Sequence, residues 1–179
     1  MENDIKIIII GMPDIDKKEY AQEIINLLPD LSISNTFSTN IEEYENKVCG
    51  EYIDSKTLSI AYKNNALLYV NTNNSISRGL TLDEYYSTNI SVIDIYDFNL
   101  ISDCLLNNEN LLVCWIDESK KRNMIENYLE EIGVLENRIY KLNYLYFLNI
   151  SAKEFAKVVK RYILETNEEI KKEIREEYS

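Results

Sequence analysis

The chain has no histidine, four glycines, two prolines and three cysteines in 179 residues, and each shortage removes a class of function. Without imidazole, the Ser-His-Asp and Cys-His mechanisms and histidine-ligated metal sites are excluded, so acid-base chemistry falls to carboxylates and no metal site is expected. So little glycine and proline leaves no flexible linker. With 45% hydrophobic content over this length the chain can bury one good core, and a single domain spanning residues 1–179 is expected. Cys49, Cys104 and Cys114 are odd in number and lack C-x-x-C spacing, as reduced thiols of a cytoplasmic protein do. Basic residues are also scarce: 19 Lys and Arg stand against 31 Asp and Glu, a net charge of −12. No basic stripe is available to release counterions, so direct binding to nucleic acid or to a membrane is not expected, and a protein partner or self-association is. DNA mimicry, open to so acidic a chain, is disfavoured because the acids are dispersed. No apolar run approaches the ~20 residues of a membrane span, and the first residues are acidic where a secretory signal is basic. A cytoplasmic protein is expected. Its abundance of Ile, Asn, Lys and Tyr suggests an AT-rich coding sequence, such as that of a phage or bacterial accessory protein, and in the first case the location is the host cytoplasm.

What is present is concentrated at the start. Ile5 to Ile10 is a β-branched run interrupted only by Lys6 and ending at Gly11, the pattern of a strand covered on both faces, and an amphipathic helix follows. Between them, Gly11 to Lys18 has the layout of the phosphate-binding pattern G-x-x-x-x-G-K-[ST]. Gly11 and Lys17 match it. Asp16 stands at the second glycine and Lys18 at the Mg²⁺-holding hydroxyl, while Asp14 adds another carboxylate to a loop that would receive a polyanion.

Further along, Asp16 and Glu19 form a capping pair for a helix over Lys17 to Leu28, closed by Pro29-Asp30. Residues 31–89 are rich in Ser, Thr and Asn and carry short alternating runs, Thr57 to Tyr62 and Leu67 to Asn71, that predict small strands in an inserted subdomain. Thr81 to Tyr86 predicts a short helix. Ile90 to Ile95, Leu111 to Ile116 and Tyr144 to Ile150 predict three more buried strands. A helix is expected from Ser119 to Ile132 with its stop at Gly133, and an S-x-x-E box at Ser151 and Glu154 opens a long final helix. Strands alternating with helices imply a parallel α/β sheet with right-handed crossovers.

In this order the pieces resemble the nucleoside monophosphate kinases, and within them guanylate kinase. Ser91-Val92-Ile93-Asp94-Ile95 resembles that family's central strand ending in an acid. Leu111 to Ile116 with Asp117-Glu118-Ser119 resembles the next strand and its helix entry, and Tyr146-Phe147-Leu148-Asn149 the last strand. The resemblance implies a three-layer P-loop kinase-like fold: a mostly parallel sheet of about five strands with Ile5 to Ile10 central, helices on both faces, and a small inserted β-containing subdomain. Residues 1–30 and 90–165 would form the sheet core, 31–89 a GMP-binding-like insert, and 166–179 a C-terminal helical extension.

The departures from the family fall on chemistry. The arginines that fork onto the nucleotide phosphate are missing from Ser34 to Asn40, and Gly133 to Leu142 is too short for an arginine-rich lid, leaving Arg122 and Arg138 as the candidates. Two functions follow as expectations. The first is a catalytically degenerate guanylate-kinase-like domain acting as a protein-binding or structural module, without cofactor, as the guanylate-kinase-like domains of scaffold proteins do. The alternative is an active (deoxy)nucleoside monophosphate kinase with an atypical loop, in which ATP and Mg²⁺ would be required. Gly11, Lys17 and Lys18 would then bind phosphate, with Lys17, Asp94 and Arg122 catalytic. The Tyr44, Tyr52, Tyr62 and Tyr69 set would stack on a base or pack a core, and Arg78 beside Gly79 would touch an anion or sit in a turn. In the tail, Ile170 and Ile174 recur at helical spacing among charges, which predicts either a solvated extension or a seam for a partner helix.

Overall fold

Continuous apolar runs become one sheet, and the polar stretch between the first two of them becomes another. The computed structural model describes residues 5–107, 110–118 and 126–179. It begins with β1 (Lys6–Gly11) and α1 (Lys17–Leu27), and continues through β2 (Phe37–Ser38), α2 (Ile41–Glu45), β3 (Glu51–Tyr52), α3 (Ser55–Lys63), β4 (Leu67–Asn73), β5 (Ile76–Thr81) and α4 (Leu82–Ser87). The chain then returns as β6 (Ile90–Asp94), α5 (Ile95–Phe98), α6 (Asp103–Leu106), β7 (Leu111–Asp117), α7 (Glu126–Ile139), β8 (Tyr144–Leu148), α8 (Ala152–Leu164) and α9 (Glu168–Glu177).

The first sheet has the order β6-β1-β7-β8, with every neighbour parallel. Ile7 to Ile10 and the whole of β7 are buried. Because successive side chains of a strand point to opposite faces, burial without alternation means that both faces are covered. On one face, Tyr20 of α1 meets Phe155 of α8 edge-on at 5.2 Å, and Phe155 meets Phe147 of β8 at 4.8 Å. Arg138 of α7 donates to the carbonyls of Phe98 and Ile101 at 2.9 and 2.5 Å and pairs with Asp103, tying that helix to the segment after β6. Arg138 therefore has a packing role and is no part of a lid.

Among the described residues, the expected sheet of about five strands has four. What would be the fifth is reduced to one bridge from Ile33 to Ile90, with the Ser34 N–H donating to the Ile90 carbonyl and the Ile90 N–H to that of Ser32. At Asn35 the chain turns away, its N–H given to the Glu84 carboxylate at 2.7 Å. As a result β6 lies at the sheet edge, where the resemblance implied a central strand, while β1 is an inner strand as expected.

The second sheet, of order β3-β2-β5-β4, is mixed: β2 runs parallel to β3 and antiparallel to β5, and β4 and β5 form a hairpin. Thr57 to Tyr62, expected as a strand, lies in helix α3. Its alternation gave way to local capping, in which the Asp54 carboxylate accepts the Thr57 N–H at 2.7 Å. Gly133 does not end α7, which runs on to Ile139. A helix-ending glycine takes a positive φ, and no glycine of this chain has one. The expected start of that helix, Ser119 to Ile125, lies outside the described residues.

The tail is also corrected. α8 stops at Leu164, and α9 begins afresh with Asn167 as its cap. Ile174 is 1% exposed within the main core, and Ile170 packs against that core. Two isoleucines turned inward form no seam for another chain. The Tyr178 carbonyl accepts the Tyr146 N–H at 2.5 Å, which seats the tail on the outer edge of β8.

Candidate binding cleft

Pairing of β1 with β6 sets Gly11 opposite Asp94. The loop leaving β1 and the acid ending β6 thus meet at the carboxyl edge of the parallel sheet, where open α/β sheets place their ligands. Lys17, the first residue of α1, bends back over this junction. Its ammonium lies 2.7 Å from Asp94 Oδ1 and donates to the Met12 carbonyl at 2.5 Å and the Ile15 carbonyl at 3.3 Å, and the side chain is only 5% exposed. A Cβ at Gly11 would stand 2.9 Å from the Ile116 carbonyl oxygen, 3.4 Å from Lys17 Cδ and 3.5 Å from Ile15 Cδ1. The glycine is required by that close approach, and the hollow above it is filled by Ile15, itself buried, and by the lysine stem.

Asp16 caps α1, its carboxylate accepting the Glu19 N–H at 3.3 Å. A helix N-terminus attracts anions through its unpaired N–H groups and dipole. Here a carboxylate of the chain already occupies that position. Lys18 reaches the rim instead, donating to the Val48 carbonyl at 3.2 Å.

A cleft of about 510 Å³ opens between this loop, the β6 end and the second sheet. Four carboxylates line it: Asp14, Asp16, Asp94 and Asp97. The opposite wall carries Tyr69 of β4 and Arg78 of β5. Arg78 does not face the cleft as a free cation. Its Nε donates to Glu43 Oε2 at 2.9 Å and its Nη2 to the other oxygen, while Ser38 Oγ donates to Oε2 at 2.7 Å. This fork holds the Glu43 carboxyl below its ordinary range and raises the guanidinium.

Asp97, in α5, accepts Asn71 Nδ2 at 2.7 Å across the boundary between the two sheets. Burial pushes its carboxyl above the ordinary range. The Asn71 bond opposes that rise, the charge of Asp94 adds to it, and Lys17 and Arg78 offset it in part. Tyr69 is 6% exposed, and its phenol is pushed well up by burial and by the nearby charges of Asp97 and Asp94.

The structure therefore brings together Gly11, Lys17 and Asp94, and puts Lys18 on the rim of the same cleft. Arg122 lies outside the described residues. Of the tyrosine set only Tyr69 belongs here: Tyr44, Tyr52 and Tyr62 are all exposed, neither packed in a core nor gathered around a base. Sequence reading missed Asp97, Asn71 and Glu43. Asp97 had a signal, since it follows Asp94 by three residues and shares its helical turn. Glu43 and Asn71 had none, because their positions depend on how the second sheet folds over the loop.

No protein-family model matches the sequence, and no curated protein matches it. Among solved structures, the guanylate kinase of Anaplasma phagocytophilum is similar, with 12% identity, coverage of 97% of this chain and 86% of that one, and a TM-score of 0.48. What the cleft can hold is set by its own side chains. Its cations are engaged by Asp94, Glu43 and a backbone carbonyl, and its carboxylates outnumber them.

Proposed function

We propose that this chain is a non-catalytic, guanylate-kinase-like binding module that uses the cleft beside the Gly11 to Lys18 loop to hold a protein partner. The observation that carries this reading is the 2.7 Å contact of Lys17 with Asp94, inside a loop whose anion positions are taken by Ile15 and the Asp16 carboxylate. Phosphoryl transfer depends on positioning and charge neutralisation. The ammonium that would draw the outer phosphates is already neutralised within the protein, and Asp14 and Asp16 oppose the incoming charge. A like charge at about 4 Å costs about 4 kcal/mol at an effective dielectric of about 20, or about a thousandfold in affinity. Mg²⁺ fits no better, because the position that would offer a hydroxyl offers the ammonium of Lys18.

Isothermal titration with Mg-ATP, GMP and dGMP tests the reading. No saturable binding in the micromolar range is expected for any of them. A micromolar Kd for Mg-ATP that is abolished by Lys17→Ala would overturn it and assign the chain to the nucleoside monophosphate kinases with an atypical loop.

A further inference from the structure

Asp97 is a cleft carboxylate with a single hydrogen bond among the described residues. Its Oδ1 accepts from Asn71, but its Oδ2 has no hydrogen-bond donor among the described residues, although an ionised carboxylate offers about four acceptor sites. The nearby cations do not supply one, since Lys17 contacts Asp94, Arg78 is forked onto Glu43 and Lys18 reaches the Val48 carbonyl. Tyr69 is a second and independent observation. It is more than nine-tenths buried and lines the same cleft, and its hydroxyl makes no hydrogen bond among the described residues. A half-buried acceptor and the hydroxyl of a buried tyrosine thus line one cleft.

We propose that the cleft receives the basic side chain of a partner protein, an arginine or lysine seated between Asp97 and Tyr69. This rests on the protein-binding reading above and gives that partner its chemistry. A guanidinium or ammonium donates to Asp97 and to the phenol oxygen together, and adds positive charge to a cleft lined by four carboxylates. An anion meets the Asp97 and Asp94 carboxylates in the same place, and a neutral group adds nothing to the partial offset that Lys17 and Arg78 give Asp97. The partner is committed as a protein segment rather than a free amine by the rim. Val48 is 56% exposed at the cleft edge, and Tyr44 is 47% exposed in the adjoining hollow beside Lys18, so apolar residues flanking the basic one find a surface. The net charge of −12 speeds encounter with a basic segment.

The test is titration of the full ¹⁵N-labelled chain, followed by NMR, with a blocked Leu-Arg-Leu peptide, the matching Leu-Glu-Leu peptide, spermidine and Mg-ATP. The arginine peptide is expected to give saturable shifts at Asn71, Asp97 and their neighbours, with the glutamate peptide giving none. Asp97→Asn should weaken the arginine peptide by about tenfold or more, and Tyr69→Phe by a few-fold, with each variant's thermal melt showing that it is folded. Affinity should also fall as the pH is lowered and Asp97 takes up its proton among Asp94, Lys17, Arg78 and Tyr69. The proposal is overturned if the arginine peptide fails to bind, or binds both variants as tightly as the parent. Spermidine binding as tightly as the peptide would remove the protein partner and leave a polyamine site. Silence of both peptide and Mg-ATP rejects this ligand alone, whereas Mg-ATP displacing the peptide rejects the binding-module reading itself.

Discussion

All seven residues of β7 are buried in the parallel sheet, whereas α2 and α3, the helices beside the second sheet, bury none. The first region is held by apolar burial on both faces of its strands. The second buries Phe37, Leu68, Tyr69 and Leu80 in its strands, while its helices are held by polar bonds: Asn40 caps α2 at the Glu42 N–H, Asp54 caps α3, and the Arg78 to Glu43 fork ties β5 to α2. Its exposed side includes Ile41, Tyr44, Val48, Tyr52, Ile60 and Tyr62. Regions with few buried apolar contacts open at lower free-energy cost than a packed core. The difference assigns the two regions separate work. The parallel sheet fixes the loop and the Asp94 position, and the second sheet supplies the facing wall of the cleft.

The strongest way to break this comparison is to remove one large side chain from each region. Phe155→Ala, at a site with 0% exposure, should cost about 3–5 kcal/mol in urea unfolding, while Tyr62→Ala, at 68% exposure, should change stability by less than about 0.5 kcal/mol. Comparable losses would show that the second region is as tightly built as the first. A smaller effect is expected from Gly79→Ala. Its Cβ would collide with the Tyr69 carbonyl oxygen and stand 2.8 Å from the Phe37 ring, overpacking the second sheet at a cost of about 1–3 kcal/mol. Hydrogen exchange should show that cost as faster opening in β2, β4 and β5, with β1 and β7 unchanged.

The smallest effect lies at the joint between the two regions. Burial raises the Asp97 carboxyl, so the folded chain holds that proton more tightly than the unfolded chain does. Its contribution to stability is fully present below the ordinary carboxylate value and is lost as the pH rises through the raised one. Asp97→Asn should match the parent near pH 4 and exceed it by a few tenths of a kcal/mol at pH 7, the small size reflecting solvent access to the group. A parent that gains on the variant as the pH rises would reverse the sign and place a stabilising cation beside Asp97.

The same division governs what could be read from the residues alone. β1, β6, β7 and β8 were legible because each is written as a mostly apolar run, although only β7 is buried at every residue, and Ser151 with Glu154 announced the start of α8. The second sheet was less legible. Thr57 to Tyr62 alternates like a strand, and only the Asp54 cap decides for α3. The break between α8 and α9 was missed because Thr166-Asn167 interrupts a pattern of charged residues that otherwise continues. In the cleft, Gly11, Lys17 and Asp94 follow from strand endings, which sequence marks well. The neighbours that set their charge balance, Glu43, Asn71 and Asp97, come from three elements and meet only through tertiary folding.

The hinge between the regions also fixes an order of events. Ser32 and Asn89, the two ends of the inserted stretch, are bonded to one another through the Asn89 N–H to the Ser32 carbonyl at 3.1 Å and the Ser32 N–H to Asn89 Oδ1 at 3.1 Å. Asn89 also donates to the Ile5 carbonyl, 84 residues away. During synthesis β1 leaves the ribosome before β6 and β7, and neither of these sheet neighbours exists until the insert has been made. At roughly 5–20 residues per second that interval is on the order of ten seconds. Throughout it, four consecutive isoleucines with no proline among them stand unpaired, the composition of a segment prone to cross-β association. The strand therefore waits for partners made about eighty residues later, and its isoleucines are covered only when β6 arrives.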